Sequence, residues 1–437
     1  MSAQTDLAPD HPPAPVAVAP SADTEAADLS GRFRHGKKVA IVIRLLHNRS
    51  GGAERIYCEL ANMLSARGYE VTCLHYDAQP GRPFFAIDRK VEVINLHPET
   101  PLLRHRIGGW ASRRSFVPAS LREKWGWAAR NETFVAQLRD YFTLRKPDVV
   151  LTFMPPANTP ALLAAAGTGV KVVPTNHNVP AEDYTSPERW DPNPIDRKLR
   201  LEALDHAARI HVIFPRFGEW FPDHLRSRIV AMPNYVSKEI LRARPEVRRE
   251  PYILAVGRLA AVKNYDTLLT AWSLIAKDHP EWKVVVYGTG PELKALKAEA
   301  SRLGVEDSFL LPGHRGNLGE EYARMSIFCH PAHFEGFGLA AAEALALKMP
   351  VIAFSDCPGV NEFVIDGYNG LMVDRAGGAP ALAAALKRLI EDEPLRRKLG
   401  ENGPESVSPF TEERYVQGWV DLIEELTEPA TAAHGDA

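Results

Sequence analysis

Short apolar runs alternate with amphipathic stretches along most of this chain. The first run, Val39–Ile43, is apolar throughout and lies between a charged segment and a glycine-containing loop, as is typical of a buried strand. Apolar residues at helical spacing follow from Ile56 to Leu64, and Gly68 ends that stretch. The spacing predicts further strands at Glu70–Tyr76, Asp148–Phe153, Lys171–Thr175 and Arg209–Ile213. Strands that alternate with helices predict βαβ units and a parallel sheet.

The alternation begins again after a charged stretch that ends near residue 250. The strands predicted in this second half are Tyr252–Val256, Lys283–Tyr287, Ser308–Leu311, Ser326–His330 and Val351–Phe354. The pattern therefore predicts an α/β protein with two doubly wound, Rossmann-like domains that face a central cleft. The expected divisions are a disordered tail (1–36), a first domain (37–232), a linker (233–250), a second domain (251–409), a C-terminal helix able to cross back to the first domain (410–427) and a disordered tail (428–437).

Composition limits the classes of protein to which this chain can belong. Its 437 residues are 45% hydrophobic and 24% charged, which fits two or more soluble domains, and a net charge of −3 gives no reason to expect nucleic-acid binding. Four widely spaced cysteines argue against a zinc site or a disulfide framework and suit a cytoplasmic protein. No apolar run approaches the roughly 18 residues that span a bilayer. The first 31 residues lack the basic start and apolar core of a signal peptide.

The segment from Glu335 to Glu343 is the strongest candidate for a binding site. It reads Glu-Gly-Phe-Gly-Leu-Ala-Ala-Ala-Glu, so a turn at Gly336 and Gly338 leads into a run of strong helix formers. The N–H groups at such a helix start can bind an anion, typically a phosphate. Two acids beside a phosphate suggest that hydroxyl groups are recognised on both sides of a diphosphate. The alternative is a surface glutamate followed by one on an amphipathic helix.

Two other clusters follow predicted strands. Gly51 and Gly52 open a helix after the first strand, where they would allow close approach to a diphosphate or an acceptor, although two glycines can equally form a simple turn. They do not match the G-x-G-x-x-G dinucleotide fingerprint, which argues against an NAD enzyme. Arg258 and Lys263 follow the first strand of the second half and could neutralise both phosphates of a leaving nucleoside diphosphate, unless they are ordinary surface cations.

These motifs together resemble a known family. Gly51-Gly52, Gly257-Arg258 with Lys263-Asn264, Gly288-Thr-Gly-Pro291 and Glu335–Glu343 occur in the order found in retaining glycosyltransferases of family 4, which have the GT-B fold. The similarity covers roughly residues 37 to 427. The part from Glu335 to Glu362 is similar to bacterial enzymes that build lipid-linked oligosaccharides and surface polysaccharides.

The resemblance implies a role for each matching position. Arg258 and Lys263 would hold the diphosphate, Glu343 the ribose hydroxyls and Glu335 the donor sugar. Backbone amides near Phe337, Gly338 and Leu339 would meet the phosphates and the hexose. His177 ends a predicted strand where the family commonly has a histidine facing the donor sugar, although a lone histidine is more often structural. In the linker, Tyr235 stands where the family usually has glycine.

The reaction that the resemblance implies is transfer of a hexose or N-acetylhexosamine from a nucleotide-diphosphate sugar, with UDP favoured and GDP-mannose as the alternative. The acceptor would be a glycan or a polyprenyl-linked saccharide. A phosphate oxygen could take the acceptor proton, and with no Asp-x-Asp in the chain neither a metal nor a cofactor is expected. The competing interpretations are a sugar-nucleotide epimerase or hydrolase of the same fold, and a nucleotide-sugar-binding protein without turnover.

A basic and aromatic interval interrupts the first half. Between Leu102 and Arg130, seven Lys or Arg residues accompany one acid and four large aromatic residues. This composition fits a segment that lies on an anionic membrane surface, so the protein could be peripheral on the inner face of a membrane. A solvated insertion whose tryptophans pack on the domain fits equally well.

Overall fold

The computed structural model describes residues 36–98, 118–187, 189–245 and 248–428. The two predicted disordered tails lie outside these ranges, apart from Gly36 and Glu428. The first part of the basic interval, up to Val117, also lies outside them.

The first described domain is built on a sheet in which every pair of neighbouring strands is parallel. Its order is β3-β2-β1-β4-β5-β6-β7. These strands are β1 (Lys38–Ile43), β2 (Glu70–His75), β3 (Glu92–Asn95), β4 (Val149–Phe153), β5 (Lys171–Thr175), β6 (Ile210–Val212) and β7 (Ile229–Ala231).

The second domain repeats this topology with the order β10-β9-β8-β11-β12-β13, again parallel throughout. Its strands are β8 (Glu250–Val256), β9 (Lys283–Tyr287), β10 (Phe309–Gly313), β11 (Met325–His330), β12 (Val351–Phe354) and β13 (Gly370–Val373). In both sheets the strand order reverses beside the first strand, which is the doubly wound arrangement. The predicted fold class of two Rossmann-like domains is confirmed.

Helices cover both faces of each sheet. Those of the first domain and the linker are α1 (Gly52–Ala66), α2 (Ala119–Arg145), α3 (Pro155–Ala165), α4 (Pro180–Tyr184), α5 (Pro194–Glu202), α6 (Pro215–Gly218), α7 (Asp223–Arg226) and α8 (Lys238–Leu241). Those that follow are α9 (Tyr265–Ile275), α10 (Leu293–Leu303), α11 (Gly319–Arg324), α12 (Leu339–Ala346), α13 (Gly378–Glu391), α14 (Glu393–Glu401), α15 (Gly403–Val407) and α16 (Glu412–Thr427). Within the described ranges, no helix combines the length and the apolar character needed to cross a membrane.

The last helix, α16, packs against the first domain. Trp419 is fully buried in a core that also contains Ile41 of β1 and Tyr57 of α1. Ion pairs such as Arg67 to Glu413 link the same surfaces. The end of the chain therefore completes the core of the domain with which the chain begins.

Aromatic rings join the two domains beside the Glu335–Glu343 segment. Phe337 is buried and stacks on Phe214 of the first domain, with ring centroids 5.6 Å apart. Phe410, where the chain crosses back, packs against both of these rings. The phenylalanine of the motif thus anchors the contact between the domains.

Candidate functional site

A cleft of about 750 Å³ lies between the two domains, where the carboxyl ends of strands from both sheets meet. Its wall includes every site residue predicted from the sequence: Gly51, Gly52, His177, Arg258, Lys263, Glu335, Phe337, Gly338, Leu339 and Glu343. Ligands of open α/β sheets bind at this edge, outside the carboxyl ends of the strands.

Two helices begin at this cleft, one from each domain. Gly51 precedes α1 and Gly338 precedes α12, and neither start carries a side-chain cap. The two starts are close, because a Cβ placed on Gly52 would lie 3.4 Å from Cδ1 of Leu339. The first N–H groups of a helix have no intrahelical partner and carry partial positive charge. The cleft therefore receives positive potential from both domains.

Glycine is required at two positions of the motif for different reasons. Gly338 has a φ of 85°, in the left-handed region that side chains disfavour. At Gly336 a Cβ would lie 1.9 Å from the carbonyl oxygen of His177 in the other domain. The glycine turn thus lets the second domain approach the backbone of the first.

Lys263 and Glu335 form an ion pair inside the cleft, and each side chain is mostly buried. Nε2 of His330 lies 3.2 Å from the same carboxylate oxygen. Burial alone raises the pKa of Glu335, but Lys263 and His330 together lower that pKa to about 2. Glu335 is therefore ionised at neutral pH and can accept hydrogen bonds from hydroxyl groups.

Arg258 differs from Lys263 because its side chain is exposed and forms no ion pair with any residue that the structure describes. It lines the cleft together with Glu54 of α1. Burial raises the pKa of the Glu54 carboxyl, against the opposing attraction of Arg49 and Arg258. A diphosphate entering the cleft would find the Arg258 guanidinium available.

Glu343 lies on α12 and is almost fully buried. Its Oε1 accepts a hydrogen bond from Nη1 of Arg55, at 3.0 Å, across the cleft. Burial raises the pKa of Glu343, and the positive charge of Arg55 opposes that rise. The second glutamate of the motif is thus held by a residue of the first domain.

His177 is buried at the end of β5, where its ring stacks on Phe153 at 4.6 Å. Its Nε2 lies 2.8 Å from Oγ1 of Thr175, whereas Nδ1 has no hydrogen-bond partner among the described residues. Burial and the neighbouring His211 lower the pKa of His177 well below its usual value. The ring is neutral at physiological pH, and its buried Nδ1 keeps an unused hydrogen-bonding capacity beside the cleft.

Three of the cleft residues that were not among the predicted ones have contacts that bear on the site. Arg55 lies three residues after the glycine pair, and its spacing of four residues from Glu59 was a visible signal for a helical ion pair. His330, at the end of β11, lies beside Glu335 and helps to lower the pKa of that carboxyl. The buried Asn234 has an Oδ1 without a partner among the described residues, and the Pro-Asn of the linker was the available signal.

One group of possible metal ligands lies at the edge of the cleft in the part of the chain that the structure describes. Nitrogen or oxygen atoms of His47, His75 and Asp77 all lie within 4.8 Å of one another. The Asp77 carboxylate already accepts bonds from the backbone of Leu46 and from Nδ1 of His75. These hydrogen bonds give Asp77 and His75 a structural role in holding the loop after β1. That the protein works without a metal ion stays a prediction.

Comparison with known proteins gives the family. The sequence model for "Glycosyl transferases group 1" matches residues 236–406, and that for "Glycosyltransferase Family 4" matches residues 50–239. The two matches adjoin at the linker and together extend from the glycine pair through the second domain.

Individual relatives agree with these matches. An exopolysaccharide phosphotransferase of Streptomyces coelicolor is 27% identical over 86% of this chain, which spans only 39% of that protein's length. The GalNAc-α-(1→4)-GalNAc-α-(1→3)-diNAcBac-PP-undecaprenol α-1,4-N-acetyl-D-galactosaminyltransferase of Campylobacter jejuni is 26% identical over 89% of this chain and 99% of its own. The crystal structure of the pneumococcal O-GlcNAc transferase GtfA, in complex with UDP and GlcNAc, has a TM-score of 0.70 at 15% identity and covers 90% of this chain and all of that one. The chain therefore belongs to the group 1, family 4 glycosyltransferases, which share the GT-B fold.

Proposed function

We propose that this glycosyltransferase is a retaining enzyme that moves a hexose or N-acetylhexosamine from a UDP-sugar to a glycan or polyprenyl-linked saccharide, without a metal ion. The observation that carries the proposal is the convergence of two helix N-termini, Arg258 and Lys263 on one cleft. The relative that acts on an undecaprenol-linked saccharide and the structural neighbour in complex with UDP support the choice of acceptor and donor.

Each part of the donor has a matching group in the cleft. The diphosphate would lie between the two helix starts and take charge-assisted hydrogen bonds from Arg258 and Lys263. Glu343 would accept hydrogen bonds from the ribose hydroxyls and Glu335 from hydroxyls of the transferred sugar. Lys263 would then contact both Glu335 and the phosphate, so one cation would link sugar and leaving group.

The proposed chemistry needs no separate base. The bond between the anomeric carbon and the diphosphate oxygen breaks, and the acceptor hydroxyl attacks from the face that the diphosphate is leaving. A phosphate oxygen takes the acceptor proton, so the products are the glycoside and the protonated nucleoside diphosphate. Arg258, Lys263 and the helix starts stabilise the charge that develops on the leaving group. The neutral His177 would hydrogen-bond a donor-sugar hydroxyl through Nδ1.

The start of α2 supports a peripheral membrane contact for acceptor supply. Leu121 and Trp125, one helical turn apart, are exposed, and the three residues between them in sequence, Arg122-Glu-Lys124, carry a net charge of +1. An apolar pair beside positive charge suits an anionic lipid surface. A polyprenyl-linked acceptor lies in such a membrane.

The test is a donor screen followed by product analysis. Thermal unfolding with UDP, GDP and their sugars should show the largest stabilisation with a UDP-sugar, and turnover with a lipid-linked saccharide extract should give an α-glycoside by NMR. Lys263→Met should bind UDP more weakly and lose turnover, whereas Lys387→Met, in an exposed pair with Glu391, should change neither.

Other outcomes would redirect the proposal. Preferred binding of GDP-mannose would mean that the donor is GDP-mannose and not a UDP-sugar. Free sugar without an acceptor requirement would favour a hydrolase or epimerase, and inverted product stereochemistry would contradict the retaining mechanism. Binding without turnover on any acceptor extract would favour a nucleotide-sugar-binding protein.

A further inference from the structure

Arg55 bridges two carboxylates that lie on different domains. Its Nε donates to Oε1 of Glu59 at 2.9 Å, within α1, and its Nη1 donates to Oε1 of Glu343 at 3.0 Å, on α12. The Glu343 side chain is only 7% exposed, so this contact is largely shielded from water. A guanidinium is a rigid planar fork, so fixing one edge of Arg55 on Glu59 also fixes the direction of the edge that meets Glu343.

The other oxygen of Glu59 is held by the linker between the domains. The hydroxyl of Tyr235 donates to Oε2 of Glu59, and the Tyr235 ring is buried against Tyr415 of α16 at 4.9 Å. The next residue, Val236, donates its backbone N–H to Phe410 where the chain crosses back. Tyr235 therefore lies beside both segments in which the chain passes from one domain to the other, which are the linker and the segment at Phe410.

We infer that Arg55 is a positioning residue for nucleotide recognition, and that Tyr235 sets its orientation through Glu59. The polar chain Tyr235–Glu59–Arg55–Glu343 links the linker to the carboxylate that faces the ribose. This inference rests on the proposed function, in which Glu343 accepts the ribose hydroxyls.

The contacts of Glu343 leave it able to accept hydrogen bonds from ribose hydroxyls. Arg55 occupies one acceptor position on Oε1, and a carboxylate has about four on its two oxygens, so positions remain for ribose hydroxyls even beside the Tyr322 hydroxyl. The charged and titratable groups that face Glu343 are Arg55, Glu59 and the Tyr322 hydroxyl, and Arg55 is the sole cation among them in the described structure. Loss of Arg55 would leave a buried carboxylate that favours its protonated form.

The chain also makes donor recognition depend on both domains. Glu343 belongs to the second domain, whereas Arg55 and Glu59 belong to the first. When the domains separate, Glu343 loses Arg55 and with it the orientation of its carboxylate. The ribose site is therefore complete only when the linker holds the domains as they are here.

The test compares UDP with 2′-deoxy-UDP, with the GDP pair measured alongside, because the ratio of dissociation constants within each pair reports recognition of the 2′-hydroxyl alone. Wild type should prefer the ribonucleotide by on the order of tenfold, the value of a hydrogen bond to a charged group. Glu343→Gln and Arg55→Met should both bring the ratio close to one at neutral pH. Tyr235→Phe, which keeps the ring against Tyr415, should lower it by about threefold, and Tyr235→Phe combined with Arg55→Met should match Arg55→Met alone.

Two readouts separate positioning from a merely structural effect. In Arg55→Met, the preference for UDP over 2′-deoxy-UDP should rise with pH as Glu343 ionises. In Glu343→Gln, this preference should not change with pH, because an amide does not titrate. Arg67→Met, which breaks the pair with Glu413 outside the cleft, should keep the wild-type ratio even where its melting temperature falls.

The outcomes test the positioning role of Arg55 and the proposed ribose role of Glu343 separately. If Glu343→Gln keeps the wild-type ratio, or if wild type binds neither nucleotide pair, the ribose role fails and the inference falls with it. If Glu343→Gln loses the preference while Arg55→Met and Tyr235→Phe retain it, the inference is overturned and the proposed function stands.

Discussion

Replacing Lys263 by methionine should destabilise the protein as well as abolish transfer, because it leaves the buried Glu335 carboxylate without its main partner. The lowering of the Glu335 pKa from 4.5 to about 2 measures the stabilisation of the ionised form by its surroundings. At about 1.4 kcal/mol per pH unit, this amounts to about 3 kcal/mol, shared between Lys263 and His330. We therefore expect Lys263→Met to lower the free energy of unfolding by about 2 kcal/mol at neutral pH.

The sign of the pH dependence follows from the depressed pKa. Glu335 contributes its full stabilisation above its unfolded-state pKa near 4.5, and this contribution is lost as the pH falls from there toward 2. The difference between wild type and Lys263→Met in urea-unfolding free energy should therefore be largest near neutrality and shrink in acid.

Two further variants control this experiment. Lys387→Met removes a cation from an exposed pair and should change the free energy of unfolding by under about 0.5 kcal/mol. Adding Glu335→Gln to Lys263→Met removes the orphaned charge and should recover about half of the lost stability without restoring transfer. The reasoning is wrong if Lys263→Met unfolds like Lys387→Met, or if the double variant recovers no stability.

Three other perturbations follow from the same structure. Gly336→Ala would force the new methyl group against the carbonyl of His177 in the other domain and so push the domains apart. Small-angle scattering should then show a larger radius of gyration, and UDP should bind at least tenfold more weakly. Wild-type values for both measurements would contradict this contact. Leu121→Ser combined with Trp125→Ser should reduce co-sedimentation with anionic vesicles and leave turnover on a soluble acceptor unchanged, and undiminished co-sedimentation would rule out this surface. Incubation with EDTA should leave transfer intact, and a loss that one divalent cation reverses would overturn metal independence.

The sequence was a good guide where local pattern determines structure. Most of the apolar strands of both sheets and the start of α12 at Leu339 were predictable, since a buried parallel strand and a glycine turn both leave local signals. Strand β3 was missed because all four of its residues are half-buried or exposed without alternation, and β7 because three residues carry too little pattern. Strand β13 was also missed, because it has only four residues and begins with a glycine.

The contacts that shape the site were beyond local pattern. Arg55 and Glu343 are separated by 288 positions, and Lys263 and Glu335 by 72, so only the fold brings each pair together. The sequence identified Lys263 and Glu335 as separate candidates for the phosphate and the sugar. That they neutralise each other in the cleft follows from two different loops meeting at the edge of one sheet.

The return of α16 to the first domain has a consequence for how the protein is made. Trp419 and its neighbours fill the core beside β1, so the first domain leaves the ribosome with an apolar surface still uncovered. About 180 residues separate the linker from the end of α16, and at roughly 5–20 residues per second they take on the order of ten to forty seconds to synthesise. Throughout that interval the nascent first domain exposes the surface that Trp419 will cover, which makes it a substrate for chaperones and leaves a chain truncated before α16 prone to aggregate.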